Sequence, residues 1–571
     1  MLARGRVPSY TAPIPMERTR LVGMQKRTES GQCQNSFEFP QGARLGRACA
    51  RSGGLRMRGL PALATVLLLA TVPTAPAKAD ELAPEDRGAV DDRRWEHRVS
   101  MRRCYEARGW QLRMADDDGL TADGYSAVRA VMMGYNHGLD LRALQMDEID
   151  QALGALGEAS ADRRAAAVRE LDLVVTDALM RLAFELRYNH EATVADGDVS
   201  AWRAAGIAEL CAAQDTALEA ELDALSPSMA SYKRLVAALS RYRRLQSEGG
   251  WPTLTGEIDA TSPPELIAEL RSRLAIENYL LDTGSGEWDE ELSQALARFQ
   301  QAHHISPPVD QVGPSTLDAL NVPIDQRVAE LVVTLDAMRE TARGVDGAGQ
   351  AVWVNVAGFY VEVWEDADRL YRTRAIVGNV NARGRNRTPL FSDVLERLEV
   401  NPSWYPPPRL AANLSPDPSR GIVEQGGRLI QLPGPENVLG RVKFLFPNPH
   451  AVYLHDTNNR ALFDRNTRAY SSGCVRIEDP IELAALLVSR DQSRDYDETM
   501  SWLNGILETT RTEVVPLQTQ LPVHLEYYTV YVADDGIVEF HGDIYRLNRT
   551  QIREVARRHD IALDHSFDEE G

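Results

Sequence analysis

The chain has 571 residues, room for three or four domains of ordinary size, and its 43% hydrophobic and 26% charged residues exclude wholesale disorder and a multi-span membrane protein. Eighty-three acidic against 63 basic side chains, a formal charge of −20, exclude a general nucleic-acid binder that works by neutralising phosphates. Five cysteines are too few for a disulfide-built scaffold.

One stretch alone is apolar enough to enter a bilayer. Leu60 to Val72 follows Arg56 and Arg58 and leads to Ala77-Lys78-Ala79. A basic start, a short apolar core and an Ala-x-Ala end are the parts of a secretory signal, and the core falls short of the roughly 20 residues a spanning helix needs. Residues 1–79 are therefore expected to be a signal region cleaved after Ala79, with Met57 as an alternative start. Cleavage leaves 51 basic and 80 acidic groups, and three cysteines, Cys104, Cys211 and Cys474. Three is odd, so at least one thiol stays free or pairs with another molecule; spacing does not decide whether Cys104 and Cys211 pair.

From about Arg98 to Arg244 the pattern is helical. Leu171, Val175, Ala178, Leu182 and Leu186 recur at spacings of three and four, one face of a helix starting near Asp162. Tyr105, Trp110, Trp202 and Tyr232 read as core filling, and no catalytic constellation stands out. The segment 80–254 is expected to be a helical domain. Gly, Pro, Thr and Ser between Gly249 and Pro264 mark a linker.

A small module follows over 255–325. Leu266, Leu270 and Leu274, then Leu292, Leu296 and Phe299, mark two helices, and Gly313-Pro314-Ser315-Thr316 opens a third. The words Ala295-Leu296-Ala297-Arg298-Phe299-Gln300 and Gly313-Pro314-Ser315-Thr316-Leu317-Asp318-Ala319-Leu320-Asn321 resemble the peptidoglycan-binding-type-1 module, which implies wall binding. A helical connector is expected over 326–349.

At Gln350 the period becomes alternating. Val352, Val354 and Val356 share one strand face, and Tyr360 to Trp364 and Leu370 to Val377 continue as strands around the turn Glu365-Asp366-Ala367-Asp368. Further strands are expected at 394–400, 442–446, 451–455, 523–532 and 537–540, with helices over 480–489 and 497–508. A β-domain over 350–548 and a C-terminal helix and tail over 549–571 complete the chain.

The chemistry concentrates in Ala451-Val452-Tyr453-Leu454-His455-Asp456-Thr457 and Arg468-Ala469-Tyr470-Ser471-Ser472-Gly473-Cys474-Val475-Arg476-Ile477. A thiolate is a nucleophile, and an imidazole beside it lowers the thiol pKa or takes its proton. Gly473 lets the backbone turn tightly and aim consecutive N–H groups at an oxyanion beside the sulfur. Tyr453 shares the face of His455 on an alternating strand. No His-Glu-x-x-His, Cys-x-x-Cys, P-loop or dinucleotide fingerprint occurs, so neither metal nor nucleotide cofactor is expected.

These words resemble the active-site motif of the L,D-transpeptidase (YkuD-type) family. Arg387-Thr388-Pro389, Val400-Asn401-Pro402-Ser403-Trp404, Leu432-Pro433-Gly434-Pro435 and Asn437 to Phe444 are similar to its long periplasmic subgroup. The resemblance implies a multidomain α+β protein: a helical scaffold domain, a three-helix peptidoglycan-binding-like module and a mostly β catalytic domain, in the periplasm. It implies Cys474 as nucleophile and His455 as base, Gly473, Ser472 and Tyr453 at the oxyanion turn, and Arg476, Arg387 and Trp404 toward substrate. Peptidoglycan tetrapeptide stems would be donor and acceptor, with other wall-synthesis enzymes as candidate partners. The expected product is a 3→3 cross-link formed with loss of D-Ala; an L,D-carboxypeptidase, a D-amino-acid exchange enzyme and a catalytically silent wall-binding scaffold stay open. The segment 403–432, brief and rich in proline, is expected to be a short mobile lid, and Arg383, Arg385 and Arg387 a solvated basic loop.

Overall fold

The computed structural model describes residues 81–559 and 563, except 93, 96, 189–209, 211–217, 282–284, 306–307, 343–348, 367 and 381–383. The signal region with Ala79, and Cys33, Cys49, Trp202, Cys211 and Arg383, lie outside the described residues. No described helix is long and apolar enough to cross a membrane.

The N-terminal region is helical: α1 (Arg98–Ala107), α2 (Ala122–Met133), α3 (Met146–Gly157), α4 (Arg164–Tyr188) and α5 (Leu218–Leu225). Leu171, Val175, Ala178, Leu182 and Leu186 of α4 are all buried, as their spacing predicts. Tyr105 is buried too, its hydroxyl donating to Asp172 Oδ1 at 2.5 Å, while Arg108 pairs with the same carboxylate at 2.8 Å. A carboxylate this deep needs such partners, so Tyr105 and Arg108 are structural. Cys104 is disulfide-bonded, and Cys474 is free.

The next helix, α6 (Ala230–Ser247), belongs to a different core. Its Tyr232, Leu235, Leu239 and Tyr242 pack with Val328, Leu331 and Leu335 of the connector, and with Val530, Val532 and Phe540 near the C-terminus. Between them stands the small module, with α7 (Pro264–Ile276), α8 (Glu290–Ala302) and α9 (Pro314–Leu320). Proline in the first turn of α7 and α9, and Asp289 accepting from Leu292 N at 2.8 Å, start these helices where expected. Leu270, Leu274, Leu292, Leu296, Phe299 and Leu320 form its core. The connector is α10 (Ile324–Ala342).

The β-domain comprises β1 (Gln350–Asn355), β2 (Tyr360–Glu365), β3 (Asp368–Gly378), β4 (Phe391–Val400), β5 (Ile422–Gln425), β6 (Arg428–Gln431), β7 (Val442–Leu445), β8 (Leu454–His455), β9 (Ala469–Ser471), β10 (Val475–Ile477), β11 (Glu513–Glu526), β12 (Val530–Val532) and β13 (Val538–Phe540). The main sheet runs β9-β3-β10-β8-β7-β4-β11-β1-β2, and β2 also pairs with β3, closing it on itself. Val352, Val354, Leu398, Phe444, Leu454, Val475 and Ile477 point into its core. Helices α11 (Pro480–Asp491) and α12 (Tyr496–Leu507) cover it, with Leu483, Leu487 and Leu503 buried. The C-terminal helix is α13 (Arg549–Arg558).

Several expectations change. The strand expected over 523–532 is the end of β11 and, separately, β12. Pro516 and Pro522 interrupt the strand signal of β11, whose register against β4 shifts between Pro516 and Leu521. Of 451–455 only Leu454 and His455 are strand. The segment 403–432 is not an irregular proline-rich loop. It holds a helical turn (Pro408–Ala411) and the hairpin β5–β6. Its two ends are fastened together: Trp404 and Gln431 exchange backbone hydrogen bonds at 2.9 Å, and Asn437 Nδ2 donates to Pro402 O at 2.9 Å.

Candidate active site

The site is built on two very short strands. β8 and β10 are parallel, with Leu454 opposite Val475 and His455 opposite Arg476; Val475 N also donates to Tyr453 O at 3.1 Å. Leu454, Val475 and Ile477 are buried in the barrel core, so alternation sends Tyr453, His455, Cys474 and Arg476 to the opposite face. On the other side of β8, Lys443 of β7 lies opposite His455, and its neighbours Val442 and Phe444 point into the core. Cys474, Tyr453, His455, Arg476 and Lys443 thus share one face across three adjacent strands.

The turn before Cys474 is braced from within and behind. Ser471 Oγ donates to Cys474 O at 2.5 Å and accepts from Gly473 N at 3.1 Å. Gly473 has φ +124°, a conformation L-residues rarely adopt, so glycine is required there. Thr388 Oγ1 donates to Gly473 O and accepts from Gly378 N, both at 2.9 Å, and Thr388 N donates to the Tyr545 hydroxyl at 3.0 Å. The expectation that Gly473 N–H faces an oxyanion is therefore corrected: that donor is spent on Ser471. Cys474 N–H has no acceptor among the described residues and is the donor left beside the sulfur. Ser472 is exposed at the outer corner of the turn.

Cys474 is half-buried, its Sγ 4.0 Å from Ala451 O. Burial pushes the thiol pKa above its ordinary value, while Tyr453, Lys443 and Arg476 pull it back. His455 is almost fully buried, and its pKa is depressed to about 3, first by burial and then by the Arg476 charge. Main-chain groups of Asp456 and Leu439 offset part of this shift, and Nδ1 itself makes no hydrogen bond. These shifts favour a neutral thiol and a neutral imidazole at rest, on one face of the sheet, over a thiolate–imidazolium pair. The Tyr453 ring stands 5.4 Å from the His455 ring, with its hydroxyl beside the thiol. Behind His455, Asp456 accepts from Arg441 N at 2.8 Å and Thr457 N at 2.7 Å. Gly440, at φ +61°, leaves room for that carboxylate: a Cβ there would fall 2.3 Å from it.

The three residues assigned toward substrate separate. Arg476 is half-buried near Cys474 with no acidic partner among the described residues, and its Nε makes no hydrogen bond. Arg387 is exposed, its guanidinium 5.4 Å over the Tyr545 ring, and it meets the site through its main chain, packed behind Gly473. Trp404 serves the fastened base of the capping segment. That segment reaches the loop of Arg387 where Arg409 Nη2 donates to Asn386 Oδ1 at 3.1 Å. Sequence reasoning missed Lys443, although a lone lysine between core-facing Val442 and Phe444 is a signal for an outward position. Thr388 stood in the word Arg387-Thr388-Pro389 without a role and Tyr545 was missed, since no local pattern links either to Cys474. Among the described residues no group of three or more His, Cys, Asp or Glu side chains is arranged to hold a metal ion.

Residues 349–512 match the family model of the L,D-transpeptidase (YkuD) catalytic domain, and residues 99–239 match that of the Scaffold domain. A curated Haemophilus influenzae protein named "Putative L,D-transpeptidase" is 32% identical over 228 residues, covering 35% of this chain and 44% of that protein. The chain thus matches less than half the length of this relative. An L,D-transpeptidase crystal structure from Xylanimonas cellulosilytica aligns at 17% identity over 48% of this chain and 99% of its own, with a TM-score of 0.17. One from Stackebrandtia nassauensis aligns at 15% identity over 48% and 96%, with a TM-score of 0.20. Residues 349–512 are thus an L,D-transpeptidase (YkuD-type) catalytic domain and residues 99–239 a Scaffold domain.

Proposed function

We propose that the protein is a cysteine-dependent peptidoglycan L,D-transpeptidase, exported to the periplasm, that forms 3→3 cross-links between stem peptides. The observation that carries this reading is the placement of a free, half-buried thiol, Cys474, on one sheet face with His455, beside an unspent main-chain donor and an unpaired arginine.

The reaction follows from the resting protonation states. Neutral His455 takes the Cys474 proton as sulfur attacks the carbonyl joining a diamino acid to the terminal D-Ala of a tetrapeptide stem. Cys474 N–H and the Tyr453 hydroxyl donate to the resulting oxyanion. As the C–N bond breaks, His455 returns the proton to the leaving D-Ala amine, and a thioester remains. Arg476, with no acidic partner among the described residues, holds a donor carboxylate. An acceptor amine then attacks the thioester carbon; a C–N bond forms, the C–S bond breaks, and the proton passes through His455 back to sulfur. The three-helix module over 255–325 would hold the enzyme to the wall.

Intact-mass analysis after incubation with a carbapenem tests the reading. One adduct per chain is expected, absent from Cys474→Ala, together with D-Ala release from tetrapeptide dimers. Release of D-Ala by the Cys474→Ala protein would refute it.

A further inference from the structure

We propose that Lys443 is the subsite for a carboxylate borne on the same carbon as the acceptor's attacking amine, so that the enzyme transfers its acyl group to amino-acid-type amines. This rests on the transpeptidase reading above and names the class of acceptor.

The site face carries two cations, one on each flank of β8. Arg476 stands on the nucleophile's own strand, β10, and Lys443 on β7 directly across from His455. Lys443 Nζ lies 4.2 Å from the centroid of the Tyr453 ring, and its charge bears on both Cys474 and His455. The acid nearest Lys443 is Glu399, its cross-strand partner on β4, at 3.8 Å, a distance at which charges attract but no hydrogen bond forms. None of the three ammonium donors makes a hydrogen bond to a described residue, and 15% of the side chain is open to solvent. Holding a cation here with unspent donors costs desolvation, which an arriving anion offsets.

The geometry of the second half-reaction decides which anion. The attacking amine must lose its proton to His455 while its nitrogen bonds to the thioester carbon on Cys474, so it stands over β8. Adjacent strands are about 4.8 Å apart, and a carboxylate on the amine's own carbon reaches one strand further, to Lys443. Arg476, on the far flank, stays with the donor. A D-amino acid qualifies, as does a diamino acid whose free amine sits on a carboxylate-bearing carbon. Water and plain alkyl amines bring nothing to Lys443.

The test uses the full chain, a tetrapeptide donor, and D-alanine and D-alaninamide offered in equal amounts, with transfer products counted by mass spectrometry. The amide's amine loses its proton more readily, so solution reactivity alone favours it. The wild-type protein is expected to favour D-alanine by on the order of 10- to 100-fold, the range of one charge-assisted hydrogen bond. Lys443→Gln should bring the ratio to one or below and Lys443→Arg should restore most of it, whatever their absolute rates. A wild-type ratio near one, or an undiminished ratio in Lys443→Gln, overturns the proposal. Acyl-enzyme that forms normally yet shows no preference overturns the acceptor subsite alone; wild-type protein that never acylates overturns the transpeptidase reading and the subsite with it.

Discussion

The protonation state of the Cys474–His455 pair makes a quantitative prediction about pH. His455 carries a pKa of about 3, depressed by burial and by the charges of Arg476 and Lys443, and raised slightly by main-chain groups of Asp456 and Leu439. Lowering a base's pKa keeps it neutral to lower pH, so the His455 acid limb moves down, away from 6.5. With an ordinary imidazole the neutral fraction would rise about 30-fold between pH 5 and pH 7.5; with a pKa of about 3 it changes by only a few per cent. A reaction needing a preformed thiolate behaves differently again. Burial holds Cys474 above its ordinary value of 9.0 even against Tyr453, Lys443 and Arg476, so thiolate would rise about 10-fold per pH unit over the same range.

The assay is stopped-flow acylation by a carbapenem between pH 5 and 8, beside alkylation by iodoacetamide, which reacts with thiolate alone. Acylation is expected to be nearly flat, because proton transfer to neutral His455 accompanies attack, whereas alkylation should climb about 10-fold per unit. In His455→Gln the flat profile should disappear and acylation should follow the alkylation slope. An acid limb near pH 6.5 in wild-type acylation would refute the buried, neutral base, and parallel slopes in the wild-type protein would refute general-base attack.

Gly473→Ala should lower stability by about 1–3 kcal/mol and acylation by at least 10-fold. A new Cβ would lie 3.6 Å from Arg387 O, an ordinary contact, so the cost comes from φ +124° and its relaxation would swing Cys474 away from Tyr453; unchanged acylation would show that the turn does not aim the sulfur. Acid should also loosen the contact between the small module and the β-domain, where His304 stacks on His541 at 4.5 Å with its pKa lowered to about 4, chiefly by burial. A base with a depressed folded-state pKa contributes stability that is complete above about pH 6.5 and is lost as pH falls toward 4. The loss from His304 is about 2 kcal/mol at pH 5. Thermal melts at pH 7.5 and 5 should show it, and His304→Asn, suited to the residue's φ of +54°, should shrink the difference.

What the sequence disclosed depended on how far each signal reached along the chain. The α4 stripe from Leu171 to Leu186 and the alternation Val352, Val354, Val356 repeat often enough to fix both element and buried face. In the small module, leucine spacing marked α7 and α8, and Gly313-Pro314 marked the start of α9. β9 and β10 are three residues each, too short to show a period, and β11 carries two prolines that break its pattern. The supports of the nucleophile turn were invisible for a different reason. Thr388 reaches Gly473 across 85 positions, and Tyr545 meets Thr388 across 157, so no local pattern joins them. Burial of His455, which favours proton acceptance by a neutral imidazole over a preformed ion pair, is likewise a property of the folded chain alone.

The short strands explain why the site tolerates so little drift. β8 contributes two residues and β10 three, yet their pairing decides which side chains share the face of Cys474. Leu454 and Val475 are fully buried, and Tyr453, His455, Cys474 and Arg476 follow from their alternation. A slip of one residue in either strand would turn His455 or Cys474 into the barrel and bring an aliphatic side chain to the site. Two or three ladder positions cannot resist that alone. Resistance comes from the flanks: Thr388 and Ser471 fasten the turn before β10, and Asp456, bound to Arg441 N and Thr457 N, fastens the chain after β8. Ser471 and Asp456 lie within four residues of the side chain they fix, and Thr388 reaches the turn from the loop before β4. The precision of the pair therefore resides in these hydrogen-bonded ends, and substitutions at Thr388 or Asp456 should act on the register of the site before they act on the barrel.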